Sequence, residues 1–291
     1  MDRKGPYAFE YARLAVPDAD ATCAWYAKYV GLEPVGRSDG HLYLRAGIPH
    51  HCLDLTQDEK LKEAVVRGFG FSVGSPEALS QIRDRVKDSG APVRDIDESQ
   101  QAYCAEGFAT QDPTGMTLEL FTEYQEWAEP PLLAYTPKYV VHPFIGTEKY
   151  DDTLRWYLDV VGFRASDYIA NMSAFLRSEN RFHHSLAMRR SKAFEVAHIC
   201  FEMKSLDHLM RGRAKAIYDG VKIAADMANH SASRSIAFYI LDERHGPRIE
   251  LCDGHTILTP EEHAMRKPRR MSVDPRNIDV WRAAADDWHD L

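Results

Sequence analysis

His142, His198 and Glu250 are of the types that hold a divalent cation, and the runs around them show how they could be turned toward one point. In Ala197-His198-Ile199-Cys200-Phe201-Glu202-Met203, strand alternation puts Ile199, Phe201 and Met203 on one face and His198 on the other. In Arg248-Ile249-Glu250-Leu251-Cys252 two aliphatics oppose Glu250, and His142 falls in a strand-like run from Tyr139 to Ile145. Such strands can bury an apolar face against helices and present a ligand type on the concave side. Two neutral imidazoles and one carboxylate make the facial set typical of non-haem Fe(II), which leaves three coordination positions open. An ion held this way can chelate a substrate through two oxygens and still bind O2, combining proximity with Lewis acidity.

The elements that must position these residues come from an internal repeat. Trp25-Tyr26-Ala27-Lys28-Tyr29-Val30-Gly31-Leu32 matches Trp156-Tyr157-Leu158-Asp159-Val160-Val161-Gly162-Phe163 at an offset of 131. His50-His51 returns as His183-His184 at 133, Ser75 and Gly90 return as Ser205 and Gly220 at 130, and Leu118-Glu119-Leu120 returns as Ile249-Glu250-Leu251 at 131. Chance matches would scatter in offset, so a module is duplicated. In the first copy the places of His142, His198 and Glu250 are taken by Tyr11, roughly Gly68, and Glu119. One carboxylate does not hold iron alone, and that copy is expected to be metal-free. A single strand histidine or glutamate usually packs or faces water; the three together, at equivalent strand positions in one copy, point to a ligand set.

Each copy reads alike. A strand (Tyr11 to Val16, or Tyr139 to Ile145) leads into a helix opened by Asp18 or Asp20, or by Asp151-Asp152, and closed at Gly31 or Gly162. Two or three strands follow. A second helix starts at Ser75-Pro76-Glu77 or Ser205-Leu206-Asp207 and closes at Gly90 or Gly220. Closing strands lie at Ala105–Thr110 and Met116–Phe121, or Ser235–Leu241 and Arg248–Cys252. Pro130-Pro131 is the joint, which divides the chain into an N-terminal module over 1–131, a C-terminal module over 132–258 and a polar tail over 259–291. The tail carries Trp281 and Trp288 and a short helix over Val280–Trp288, placed equally well over the pocket mouth, against a neighbouring subunit or in solvent.

Composition narrows the field. With 36 basic and 44 acidic side chains the formal charge is −8, which excludes a non-specific nucleic-acid binder. No apolar run approaches the roughly 18 residues of a membrane span, and the N-terminus lacks a secretory core. Five scattered cysteines without a C-x-x-C pair argue against a disulfide framework or zinc knuckle and fit a reducing cytoplasm.

The second module resembles type I extradiol ring-cleaving dioxygenases of the vicinal oxygen chelate superfamily, the group of dihydroxybiphenyl and catechol 2,3-dioxygenases. There the first ligand histidine precedes a helix ending in an aromatic-Tyr pair, as His142 precedes Trp156-Tyr157. A His-His pair precedes the second ligand, as His183-His184 precedes His198. The terminal pattern runs from a histidine to a tyrosine nine residues on and through a Gly turn to the glutamate, here His230, Tyr239, Gly246 and Glu250. The resemblance covers about residues 7–255. It implies an α+β fold of two tandem modules, each of paired βαβββ units forming a curved, incompletely closed barrel. It implies Fe(II), or Mn(II), on His142, His198 and Glu250, with His184 as acid/base and His230 and Tyr239 hydrogen-bonding the substrate oxygens. The implied reaction opens the ring of a small aromatic diol with O2, giving a muconic semialdehyde-type product, in a homo-oligomer. Replacing His184 would slow turnover with iron retained; replacing His142 or Glu250 would empty the site.

Two departures bear on the substrate. An Asn-Asp pair usual after the histidine is Ala232-Ser233, and the turn Asp242–Pro247 is a residue longer than usual. Other readings stay open. A glyoxalase-like enzyme draws ligands from two paired modules, which Tyr11 and Gly68 oppose; a 4-hydroxyphenylpyruvate dioxygenase is a longer chain; a metal-free binding protein would not need the triad. His184 could also be a packed strand residue with His183 turned to solvent, and Tyr239 an ordinary core aromatic.

Overall fold

The structure, a computed structural model, describes residues 4–282. The first copy folds as β1 (Ala8–Val16), α1 (Ala19–Tyr29), β2 (Glu33–Ser38), β3 (His41–Arg45), β4 (Leu53–Gln57), β5 (Val65–Ser72), α2 (Pro76–Asp88), a one-turn α3 (Glu98–Gln101), β6 (Glu106–Gln111) and β7 (Thr117–Thr122). Its seven strands lie in the order β2-β3-β4-β1-β5-β7-β6. The second copy folds as β8 (Pro137–Thr147), α4 (Tyr150–Trp156), β9 (Arg164–Ile169), β10 (Ser173–Arg177), β11 (Leu186–Arg190), β12 (Glu195–Met203), α5 (Leu206–Tyr218), β13 (Lys222–Asn229), β14 (Ile236–Leu241) and β15 (Arg248–Asp253). After it come α6 (Pro260–Met265) and β16 (Arg269–Met271). This nine-stranded sheet runs β13-β14-β15-β12-β8-β11-β10-β9-β16. Between β14 and β9 it repeats the first sheet's order, and β13 and β16 each add an edge strand.

Capping chemistry fixes the helices where the sequence places them. The Asp18 side chain accepts from the Ala21 amide, Ser75 from Ala78 with Pro76 at the first turn, and Ser205 from His208. Gly31 and Gly162 take φ of +82° and +98°, where a side chain would strain the turn. The helix expected to run unbroken to Gly162 instead ends in a π-helical turn, Tyr157–Val161, with the Gly162 and Phe163 amides both donating to the Tyr157 carbonyl.

The two sheets share one hydrophobic core. Phe71 of β5 meets Phe163, just before β9, edge to face with centroids 5.4 Å apart. Tyr157 Oη donates across to Asp112 Oδ2 at 2.8 Å, fully buried. After α6 the chain doubles back: β16 pairs with β9, and a short turn at Pro275–Asn277 brings Asp279 to a bridge with His230. Of the helix expected over Val280–Trp288, residues 283–288 lie outside the described residues, and Val280 and Trp281 lie in a turn. Among the described residues no helix is long and apolar enough to cross a membrane.

Candidate metal centre

Sheet register brings the expected ligands together. On β8 and β12 His142 faces Cys200 and Phe144 faces His198; on β12 and β15 Cys200 faces Glu250; on β14 and β15 Tyr239 faces Glu250. Side chains opposite one another share a face, so His142, Cys200, Glu250 and Tyr239 form a row, with His198 two residues along from Cys200. Ile199 and Phe201 point the other way into the core.

The donor atoms converge. His142 Nε2 lies 3.2 Å from His198 Nε2 and 3.5 Å from Glu250 Oε2, and His198 Nε2 lies 2.9 Å from the same oxygen. With a proton on each Nε2 both imidazoles can donate to Glu250 Oε2; with those nitrogens bare, all three donors point lone pairs at one spot. A cation among them satisfies all three, and ligands about 2.1 Å from a first-row ion sit about 3 Å apart when adjacent. Burial holds His142 down at about 4, so it is the neutral imidazole a metal requires. Burial alone would raise Glu250, but His198, His142 and His230 outweigh it and hold the carboxyl well below its ordinary value. A neutral imidazole and an ionised carboxylate are the forms that bind a divalent ion.

His142 also lies in two other donor groups, one with His184 and His255 and one with Cys200 and Glu250. Cys200 is a poor ligand here: burial pushes its thiol up to about 12, and its Sγ pairs with Cys252 Sγ at 3.4 Å. His255 is buried with neither ring nitrogen hydrogen-bonded, and its ring lies 4.6 Å from that of His184. Sequence reading passed over His255, Cys200 and Cys252. The alternation of Cys200 with Glu202 and of Cys252 with Glu250 was visible in the strands, but it carries no signal until the sheet register is known, and His255 lies past the end of the last of them.

The remaining site residues surround this point. His184 Nε2 comes within 3.2 Å of His142 Nε2, with ring centroids 4.0 Å apart. His183, the residue turned to solvent in the packed-strand reading, is buried beside it. His230 Nε2 lies 2.8 Å from Tyr239 Oη and 3.3 Å from Glu250 Oε1, and its Nδ1 donates to the Ile278 carbonyl at 3.2 Å. A carbonyl only accepts, so Nδ1 carries a proton. Above the cluster opens a cavity of about 220 Å³ walled by Phe144, Ile169, Phe175, Ala232 and Ile278. The C-terminal segment therefore forms part of the mouth through Asn277 and Ile278.

In the first copy the equivalent carboxylate is engaged otherwise. Tyr11 Oη donates to Glu119 Oε2 at 2.8 Å, and Arg13 Nη1 donates to Oε1 at 3.0 Å. The same guanidinium reaches Asp97 at 2.8 Å and Asp54 at 3.3 Å. Gly70, opposite Tyr11, leaves room for the ring: a Cβ there would stand 2.3 Å from it.

The chain and its fold also resemble known proteins. Residues 8–120 match the model of the Glyoxalase/Bleomycin resistance protein/Dioxygenase superfamily. The chain is 21% identical over 279 residues to the manganese-dependent 2,3-dihydroxybiphenyl 1,2-dioxygenase of Geobacillus genomosp. 3, covering 87% of each. It is 25% identical over 275 residues to an iron-dependent extradiol dioxygenase of Rhodococcus jostii (strain RHA1), covering 85% of this chain and 89% of that one. The fold is that of a Mn(II)-bound glyoxalase from Novosphingobium aromaticivorans, with a TM-score of 0.83 at 23% identity over 95% of this chain and 91% of that one.

Proposed function

We propose that the chain, whose residues 8–120 match the glyoxalase/bleomycin resistance protein/dioxygenase superfamily, is a member of it and is an Fe(II)-dependent extradiol dioxygenase that opens the ring of a catechol-type substrate with O2. The observation that carries this is the convergence of His142 Nε2, His198 Nε2 and Glu250 Oε2 at the base of a mainly apolar cavity. In this reading residues 132–258 form the catalytic module, residues 1–131 a metal-free companion and residues 259–291 a tail whose Asn277 and Ile278 wall the mouth. The Geobacillus relative's manganese dependence supports Mn(II) as the alternative ion.

His142, His198 and Glu250 would hold the ion, which when bound supplies Lewis acidity and a common site for the diol oxygens and O2. The protein's own groups do the rest. Phe144, Phe175, Ile169 and Ile278 offer apolar surface to an aromatic ring and keep water from it. Tyr239 Oη and His230 Nε2 stand together, ready to hydrogen-bond one substrate oxygen. Burial and the neighbouring histidines His142, His255 and His183 hold His184 well below the ordinary histidine value, so it enters as the neutral imidazole. Because the Ile278 carbonyl fixes the His230 ring, its Nε2 stays aimed at the cavity rather than at solvent.

The test is O2 uptake by protein reconstituted anaerobically with Fe(II) and offered catechol, alkylcatechols, catechol carboxylates and 2,3-dihydroxybiphenyl. Uptake matched by a yellow ring-opened product, and lost together with the iron in His142→Ala, is the expected result. Tightly bound iron with no uptake across the panel would overturn the reaction. No bound iron would leave a metal-free binding protein.

A further inference from the structure

A buried chain of hydrogen bonds leads away from the cavity behind His184. His184 Nδ1 lies 3.1 Å from His183 Nδ1, and His183 Nε2 lies 2.8 Å from Asp167 Oδ2. All three residues are buried. Two guanidiniums clamp Asp167 from the far side. Arg266 Nη2 donates to Oδ1 at 3.0 Å; Arg269 donates to Oδ1 through Nε at 2.9 Å and to Oδ2 through Nη2. Both arginines follow α6, and Arg269 opens β16 opposite Asp167 of β9.

The protons along this chain follow from what its end can do. A carboxylate only accepts, so the 2.8 Å contact puts a proton on His183 Nε2. Arg266 Nη2 also approaches that nitrogen, at 3.4 Å, but the shorter contact decides: a bare nitrogen would oppose a carboxylate lone pair. Burial, with Arg266 and Arg269 adding to it against Asp167, holds His183 below its ordinary value. It is therefore neutral, its Nδ1 is bare, and the N–H it accepts belongs to His184 Nδ1. The nitrogen of His184 left without a proton is Nε2, at the cavity base, and with no ion bound it can accept from His142 Nε2 at 3.2 Å.

The first copy lacks this chain although it keeps the pair. His50 Nδ1 lies 2.9 Å from His51 Nδ1, but the position of Asp167 is Gly36, and the His50 ring stacks on Tyr103 and Trp127. Among the described residues the complete relay occurs only beside the candidate metal ligands.

We propose that Asp167 and His183, clamped by Arg266 and Arg269, are positioning residues that fix His184 in the tautomer whose bare Nε2 faces the substrate. The proposal rests on the ring-cleavage reading for its catalytic consequence, and an orienting carboxylate behind a reacting imidazole is a general way to set its tautomer. The test is the ring ¹⁵N spectrum of histidine-labelled protein, with His184→Gln identifying the His184 signals. The expected spectrum shows His184 protonated at Nδ1 and bare at Nε2. In Asp167→Asn the amide can offer a donor to His183 Nε2, which reverses each bond along the chain. The proton then moves to His184 Nε2 and kcat falls about 100-fold, the lower range for a positioned acid–base group, with KM and bound iron unchanged. A protonated Nε2 in the unsubstituted protein, or an unchanged tautomer in Asp167→Asn, would overturn the relay. The unsubstituted protein is decisive by itself where the variant does not fold, and its spectrum needs neither metal nor turnover. An inactive or iron-free preparation would count against the ring-cleavage reading while the tautomer still decides this one.

Discussion

Glu119 and Glu250 hold equivalent strand positions with opposite electrostatics. Burial pushes Glu119 up even though Arg13 and Tyr11 bind it, whereas the imidazoles around Glu250 hold it well down. A fixed guanidinium serves the first copy; the second presents a charge that still wants a partner. Elsewhere one carboxyl runs against the usual acid behaviour. Glu10 of β1, its Oε1 accepting from Ser72 Oγ at 2.6 Å, is pushed up to about 7, mainly by burial. Its folded value exceeds that of an unfolded glutamate, near 4.3, so the native state keeps a proton that the unfolded chain releases. Its contribution is full below that lower value and is lost as pH rises through about 7. Urea unfolding should show the protein losing up to about 3 kcal/mol relative to Glu10→Gln between pH 5 and pH 7.5. Parallel pH profiles for the two would show that Glu10 ionises freely.

The segment after α6 does more than trail from the second sheet. It contributes β16, two arginines on Asp167 and the Ile278 carbonyl that holds His230. Ending the chain at Met271 keeps the arginines and removes the wall at Asn277 and Ile278, that carbonyl, and the bonds of Asp279 and Val280 to Asn229. Bound iron should be unchanged and kcat/KM should fall about tenfold, the worth of roughly one hydrogen bond. Equal kcat/KM in the O2-uptake assay would mean the segment is not part of the mouth. Much of this architecture was legible beforehand. A constant offset near 131 residues exposed the duplication, and serine, aspartate and glycine at the helix ends set the boundaries. The alternation around His198 and Glu250 gave their facing. Nothing local marked β16, a three-residue strand whose pairing depends on a segment about 100 residues upstream, and nothing marked Asp167, one acid in a polar strand until the arginines reach it. The π-helical turn was equally hidden, because Tyr157 finds Asp112 only after the two halves meet.

At the scale of the whole molecule the two sheets behave as one body. The core is continuous, Phe71 meets Phe163, and Arg85 of α2 donates to the Val160 carbonyl of the other half at 2.7 Å. Tyr157→Phe would strand a buried acceptor on Asp112, at a cost of about 1–3 kcal/mol and a Tm lower by about 2–5 °C. Tryptophan fluorescence and far-UV circular dichroism should then report the same single transition, shifted together. Two separated transitions would mean that each half folds by itself.

The clamp on Asp167 also bears on the order in which a growing chain becomes competent. His142, His198 and Glu250 are translated before Arg266, Arg269 and Ile278. In the proposed reading, the residues that would hold the ion therefore leave the ribosome before the arginines and the carbonyl that would orient His184 and His230. On that reading the direction of synthesis sets loading ahead of reactivity, because every residue of the clamp lies C-terminal to every residue of the ligand set.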